Sequence, residues 1–161
     1  MLTSRCGVRC WGYHAFGAIG DGTTTNRPTP ARVVGLQSGV VAISAGGLFA
    51  CAVNANGVAK CWGFNGSGQV GDGSTVNRLV PAQVRGLRSQ VAAVTASNDH
   101  IRARMTDGSL RCWGSNTHGE LGDGTRTDRH TPVAERTRSA RLSRAKTYQH
   151  GPLDPAGPTH R

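Results

Sequence analysis

The stretch "CWGFNGSGQVGDGSTVNRLVPAQVRGL", residues 61 to 87, decides the fold because it recurs in the chain. Earlier by 51 residues stands "CWGYHAFGAIGDGTTTNRPTPARVVGL", residues 10 to 36, and 51 residues later Cys112-Trp113-Gly114 opens a third copy. The first two copies share Gly17/Gly68, Gly20/Gly71, Asp21/Asp72, Gly22/Gly73, Asn26/Asn77, Arg27/Arg78, Pro30/Pro81, Val33/Val84 and Leu36/Leu87 in step. Gly122-Asp123-Gly124 and Arg129 hold the third copy to the same register. A period of this length without slippage marks an architecture whose units bury their apolar faces on one another.

Read in isolation, the stretch suggests binding sites. Gly66-Ser67-Gly68-Gln69-Val70-Gly71 matches G-x-G-x-x-G, which binds a dinucleotide only between a strand and a helix. The following "DGSTVNRLVP" is β-branched, turn-rich and ends in Pro, so it offers no helix N-terminus to a phosphate. Gly66 is also replaced by Ala15 and Thr117 in the other copies. A calcium loop needs several alternating oxygen ligands and a closing Glu, whereas each copy has one carboxylate here, Asp21, Asp72 or Asp123. A lone Asp between two Gly fits a structural turn, its carboxylate capping backbone N–H groups while Gly takes positive φ. Arg27, Arg78 and Arg129 each follow that Asp by six residues. Two readings stand: an Asp–Arg pair tying turn to strand, or a solvated Arg. Trp11, Trp62 and Trp113 are expected to pack between units, each with its indole N–H on a carbonyl.

The rest of the unit reads as short strands between Gly-rich turns: "ARVVGL" at 31 to 36, "VVAIS" at 40 to 44, "LFACAV" at 48 to 53 and "VAKCWGF" at 58 to 64. Four such strands and no helical period make a propeller blade. The hairpin between the last two has a three-residue loop, Ala55-Asn56-Gly57, with Gly57 left-handed. It pairs 53 with 59, 52 with 60, and Cys51 with Cys61, close enough for a disulfide in an oxidising compartment. The other copies lack this pair: Arg102 stands opposite Cys112, and Cys10 has no counterpart. Five cysteines leave at least one thiol free or bonded to another chain, and Cys6-x-x-x-Cys10 is too little for a zinc site.

In order and spacing, Cys61-Trp62-Gly63, Gly68 to Gly73, Asn77-Arg78, Pro81 to Leu87 and Val40 to Gly46 resemble the regulator-of-chromosome-condensation repeat, over roughly residues 7 to 132. The resemblance implies a β-propeller, of about seven four-stranded blades in the family at large. It also implies a His where His100 stands and where the second copy has Phe49. The expected fold class is therefore all-β: an incomplete β-propeller of 51-residue blades, about two and a half of them in residues 1–134. Open blade edges then favour association.

After Pro132 the pattern gives way to "VAERTRSARLSRAKTYQHGPLDPAGPTHR", and residues 135–161 read as a disordered basic tail. The net charge of +10 divides as +6 over residues 1–134 and +4 over the tail. Two explanations of the tail stand: an arm that contacts nucleic acid or an acidic partner, or a truncated or frame-shifted reading of a longer gene. No run of about 18 apolar residues is present to span a membrane, and residues 1 to 20, with no continuous apolar stretch, are not expected to act as a signal peptide. The cysteine pair suggests a secreted or cell-surface parent protein; otherwise the chain is expected in the cytoplasm.

The expected function is a non-enzymatic protein-protein interaction module. A strict period leaves recognition to the turn positions that differ between copies: Tyr13, His14 and Phe16; Phe64, Asn65 and Ser67; Asn116 and His118. Aromatic and polar residues there suit a binding rim. Nucleic-acid or chromatin binding through the basic surface is the alternative. Family members include guanine-nucleotide exchange factors, although a shared fold does not transfer activity and the unvarying period leaves no room for an inserted exchange wedge. No cofactor or metal is expected, and no Ser, His and Asp lie in a nucleophile context.

Overall fold

A computed structural model describes residues 7–136. The fold is all-β and antiparallel, and its blades follow the sequence period. β1 (Arg9–Gly12) and β2 (Arg27–Arg32) form a two-stranded sheet. β3 (Val40–Ala45), β4 (Phe49–Asn54), β5 (Ala59–Gly63) and β6 (Arg78–Gln83) form a four-stranded blade in that order. β7 (Val91–Ala96), β8 (His100–Met105), β9 (Leu110–Gly114) and β10 (Arg129–Ala134) form a second blade the same way. β1 and β2 thus correspond to the outer half of a blade. No helix among the described residues is long and apolar enough to cross a membrane.

Side chains alternate between the two faces of a strand, and β4 uses both. Phe49, Cys51 and Val53 face the second full blade, packing in a cluster with Val91, Val94, Ile101 and Trp113. Ala50 and Ala52 face the half-blade, in a cluster with Val8, Val33, Leu36 and Trp62.

The hairpin takes the expected register, Val53 opposite Ala59, Ala52 opposite Lys60, and Cys51 opposite Cys61. Cys51 and Cys61 are disulfide-bonded with Cα atoms 4.1 Å apart. In the next blade Arg102 does lie opposite Cys112, and Cys112 is a buried free thiol.

The outer strand corrects one expectation. It runs from Arg27 to Arg32 and from Arg78 to Gln83, not over 31 to 36, and Val33 to Leu36 form a turn after it. Pro30 and Pro81 lie inside this strand, tolerated because it is at the blade edge, where a missing N–H costs little. The "ARVVGL" apolar residues serve the core from the turn instead, with Val33 and Leu36 buried.

The expected tail begins at 135, yet Glu135 and Arg136 still belong to the second full blade. Glu135 N–H donates to the Leu110 carbonyl and Arg136 N–H to that of Gly122. The remainder of the expected tail, residues 137 to 161, lies outside the described residues, as does Cys6.

Candidate functional site

Each Gly-Asp-Gly turn is a small polar core. The Asp72 carboxylate accepts from the Ser74 amide at 2.9 Å and hydroxyl at 2.8 Å, and from Arg78 Nε at 2.6 Å. Asp21 repeats this with Thr23 and Arg27, and Asp123 with Thr125 and Arg129 at 2.7 Å. The Asp–Arg pair therefore recurs in all three copies, and the Asp caps its turn as expected. Burial pushes the Asp21 carboxyl up, but bonds from the Thr23 hydroxyl, His14, Arg27 and the Thr23 amide outweigh it and hold it well below the usual carboxylate range. Asp123 is held low by the Thr125 hydroxyl against a burial effect, with help from the Thr125 amide and Arg129. Asp72 shifts the same way, the Ser74 and Arg78 bonds overcoming burial.

Three of the eight rim residues prove to be structural. His14, Asn65 and Asn116 are fully buried. Asn65 Oδ1 accepts from the Val70 amide, while Nδ2 donates to the Ser74 and Val76 carbonyls. Asn116 does the same with Leu121, Thr125 and Thr127. His14 reaches a similar result with a ring: Nδ1 accepts from the Ile19 amide, so Nε2–H donates to Asp21 at 2.9 Å. Their variation between copies reflects two ways of bracing one loop, not a solvent-facing surface.

The other five do reach the surface. Tyr13 is 64% exposed. Phe16 and Phe64 are half-buried and meet edge to face with ring centres 5.2 Å apart, joining the loops of adjacent blades. Ser67 is half-buried and His118 exposed, its ring against Glu120 at 3.2 Å. Beside Tyr13 a hollow of about 330 Å³ is lined by Trp11, Ile19, Ile43 and Phe49 among others. Among the described residues, no three His, Cys, Asp or Glu side chains gather as a metal site.

Two of the three tryptophans pack between blades as expected, and the structure identifies the carbonyls they use. Trp62 Nε1–H donates to the Ala18 carbonyl of the preceding half-blade, and Trp113 Nε1–H to that of Gln69, each at 2.9 Å. The indoles lie on glycine: a Cβ on Gly20 would stand 2.7 Å from Trp62 Nε1, and one on Gly71 2.7 Å from Trp113 Nε1. Trp11 differs, being 50% exposed. Gln69 has its side-chain Nε2 buried without a partner among the described residues, while its Oε1 accepts from the Ser67 amide.

Comparisons with known proteins agree with this geometry. Two family models described as regulator of chromosome condensation (RCC1) repeat match, one over residues 8–53 and 61–103, the other over 40–69 and 91–120. The ultraviolet-B receptor UVR8 of Arabidopsis thaliana is 35% identical over 127 residues, covering 78% of this chain and 29% of that protein. The human E3 ubiquitin-protein ligase HERC2 is 32% identical over 126 residues, covering 77% of this chain and 3% of that protein. The chain thus spans less than a third of these relatives. Among solved structures, yeast RCC1 (Prp20) bound to Kap60 superposes with a TM-score of 0.76 at 20% identity, over 86% of this chain and 35% of that one. Prp20p of Saccharomyces cerevisiae, whose structure was described together with its binding to Gsp1p and histones, gives 0.72 at 19% identity. Both structures share the fold, and with the repeat matches covering more than half of it, the chain belongs to the RCC1 repeat family.

Proposed function

We propose that the chain is a non-enzymatic protein-interaction module whose partner docks on the loops after β1, β5 and β9. The observation that carries this reading is the rim of Tyr13, Phe16, Phe64, Ser67 and His118, set on turns that the buried Asp, Asn and His side chains hold rigid. Surface-reaching aromatics on a preorganised scaffold, here exposed Tyr13 and half-buried Phe16 and Phe64, lose little entropy on binding and are enriched among the residues that dominate contact energy in protein interfaces. Prp20p, which shares the fold, binds Gsp1p and histones, so a small GTPase and histones are the first partners to try.

A second reading rests on Arg102 and Arg104, which alternate with buried Ile101, Ala103 and Met105 and so lie together on the solvent face of β8. With a net charge of +10 they favour contact with nucleic acid.

One experiment separates the two. A photo-crosslinking residue at position 16, on the rim, is compared with one at position 56, at the other end of the same blades. Protein adducts from position 16 alone support the rim. Nucleic-acid adducts, or protein adducts equally from both positions, contradict it.

A further inference from the structure

The contact between adjacent blades is a set of complementary halves, seen twice. The earlier blade offers a Gly-rich turn: Gly17 and Gly68 leave room for the outer strand of the next blade, since a Cβ there would stand 2.7 Å from Leu79 and 2.5 Å from His130. Gly22 N–H donates to the Leu79 carbonyl and Gly73 N–H to that of His130. The later blade offers a Trp to the Ala18 or Gln69 carbonyl, and Phe64 to the ring of Phe16.

Both halves recur without a partner among the described residues. In the half-blade, Trp11, Tyr13 and Pro28 hold the places of Trp62, Phe64 and Leu79, and Trp11 and Tyr13 are exposed. In the second full blade, His118, Gly119, Glu120, Gly122 and Gly124 hold the places of Phe16, Gly17, Ala18, Gly20 and Gly22. A Cβ on Gly119 would meet nothing closer than the Thr125 carbonyl at 3.8 Å, and Gly122 is partly exposed where Gly20 and Gly71 are buried. No described carbonyl takes the Gly124 N–H.

We propose that a second copy of this chain docks head to tail, its Trp11 face on the Gly119–Gly124 face of the first, repeating the blade contact between molecules. Trp11 Nε1–H donates to the Glu120 carbonyl, Gly124 N–H to that of Pro28, and Tyr13 stacks on His118. The two surfaces differ, so the contact is heterologous and each bound copy leaves one further face open.

The test uses two variants of the 161-residue chain, each damaging one face. Trp11→Ala removes an already exposed side chain. Gly119→Asn places a side chain where the chain itself has room but an incoming Pro28 does not, and Asn tolerates the positive φ of 86°. His118→Asp, on a side chain 87% exposed, is the second tail variant if circular dichroism shows that Gly119→Asn disturbs the fold. In sedimentation equilibrium the wild-type mass rises with concentration, and each variant weakens association by roughly tenfold or more. Mixing Trp11→Ala with a tail variant restores one intact pair of faces and yields a 1:1 dimer that grows no further. A wild type that stays at single-chain mass, variants that associate as it does, or a mixture no heavier than its components would each overturn the proposal.

Discussion

Asp72 shows how much one side chain does in this repeat. It accepts three hydrogen bonds, two from Ser74 and one from Arg78, and its side chain is 10% exposed. Asp72→Ala strands a half-buried Arg and frees the turn amide, and urea unfolding is expected to show a loss of roughly 2 kcal/mol. His14 and Asn65 give a contrast between equivalent positions. His14→Asn restores the residue used by the other copies and keeps the fold, whereas His14→Leu buries the Ile19 N–H without an acceptor and costs roughly 1–3 kcal/mol by the same measurement. The six-residue spacing raised the Asp–Arg pair beside a solvated Arg, and the structure decides for the pair. His14, Asn65 and Asn116 sit in a turn whose neighbouring residues vary between copies, and so resembled surface. Burial of an amide or imidazole is invisible in one sequence, because many of its partners are backbone groups that any residue supplies.

The hairpin and the Gly-Asp-Gly turn are the units on which stability rests. The Cys51–Cys61 bridge closes a short loop, so reducing it is expected to cost about 2 kcal/mol, measured as a lower melting temperature in reductant, with no change after Cys51→Ser/Cys61→Ser. The turns predict acid behaviour. Asp21, Asp72 and Asp123 all have folded-state values lowered from 3.8. Their contribution to stability is complete above the unfolded value and is lost as pH falls through the folded ones. The urea midpoint is therefore flat from neutral to about pH 5 and falls below about pH 4, and Asp72→Ala makes that fall shallower. The hairpin register was legible because a three-residue Gly loop fixes pairing by geometry. The outer strand was not, since Pro30 and Pro81 forbid a central strand but not an edge strand, and only the sheet order reveals which one it is.

Across the molecule, the 51-residue period made the blade architecture, the family and the packing of tryptophans between blades plain, while the carbonyls they reach and the exposure of Trp11 had to be seen. Nothing in the spacing of Trp62 says that its N–H reaches Ala18, 44 residues away, or that Gly20 is small for its sake. Burying an indole removes roughly 200 Å² from water, on the order of 5 kcal/mol before entropic costs, so these contacts dominate cohesion between sheets. Gly71→Val, which drives a branched side chain into Trp113 at a φ of 74°, is expected to uncouple the second full blade, seen as a second unfolding transition.

The claim that each blade hangs on the preceding one by a tryptophan is tested most directly by hydrogen exchange of the three indole N–H groups, followed by NMR in dilute solution. The account predicts two slow protons, Trp62 and Trp113, and one fast proton, Trp11; three protons exchanging at one common rate would contradict it.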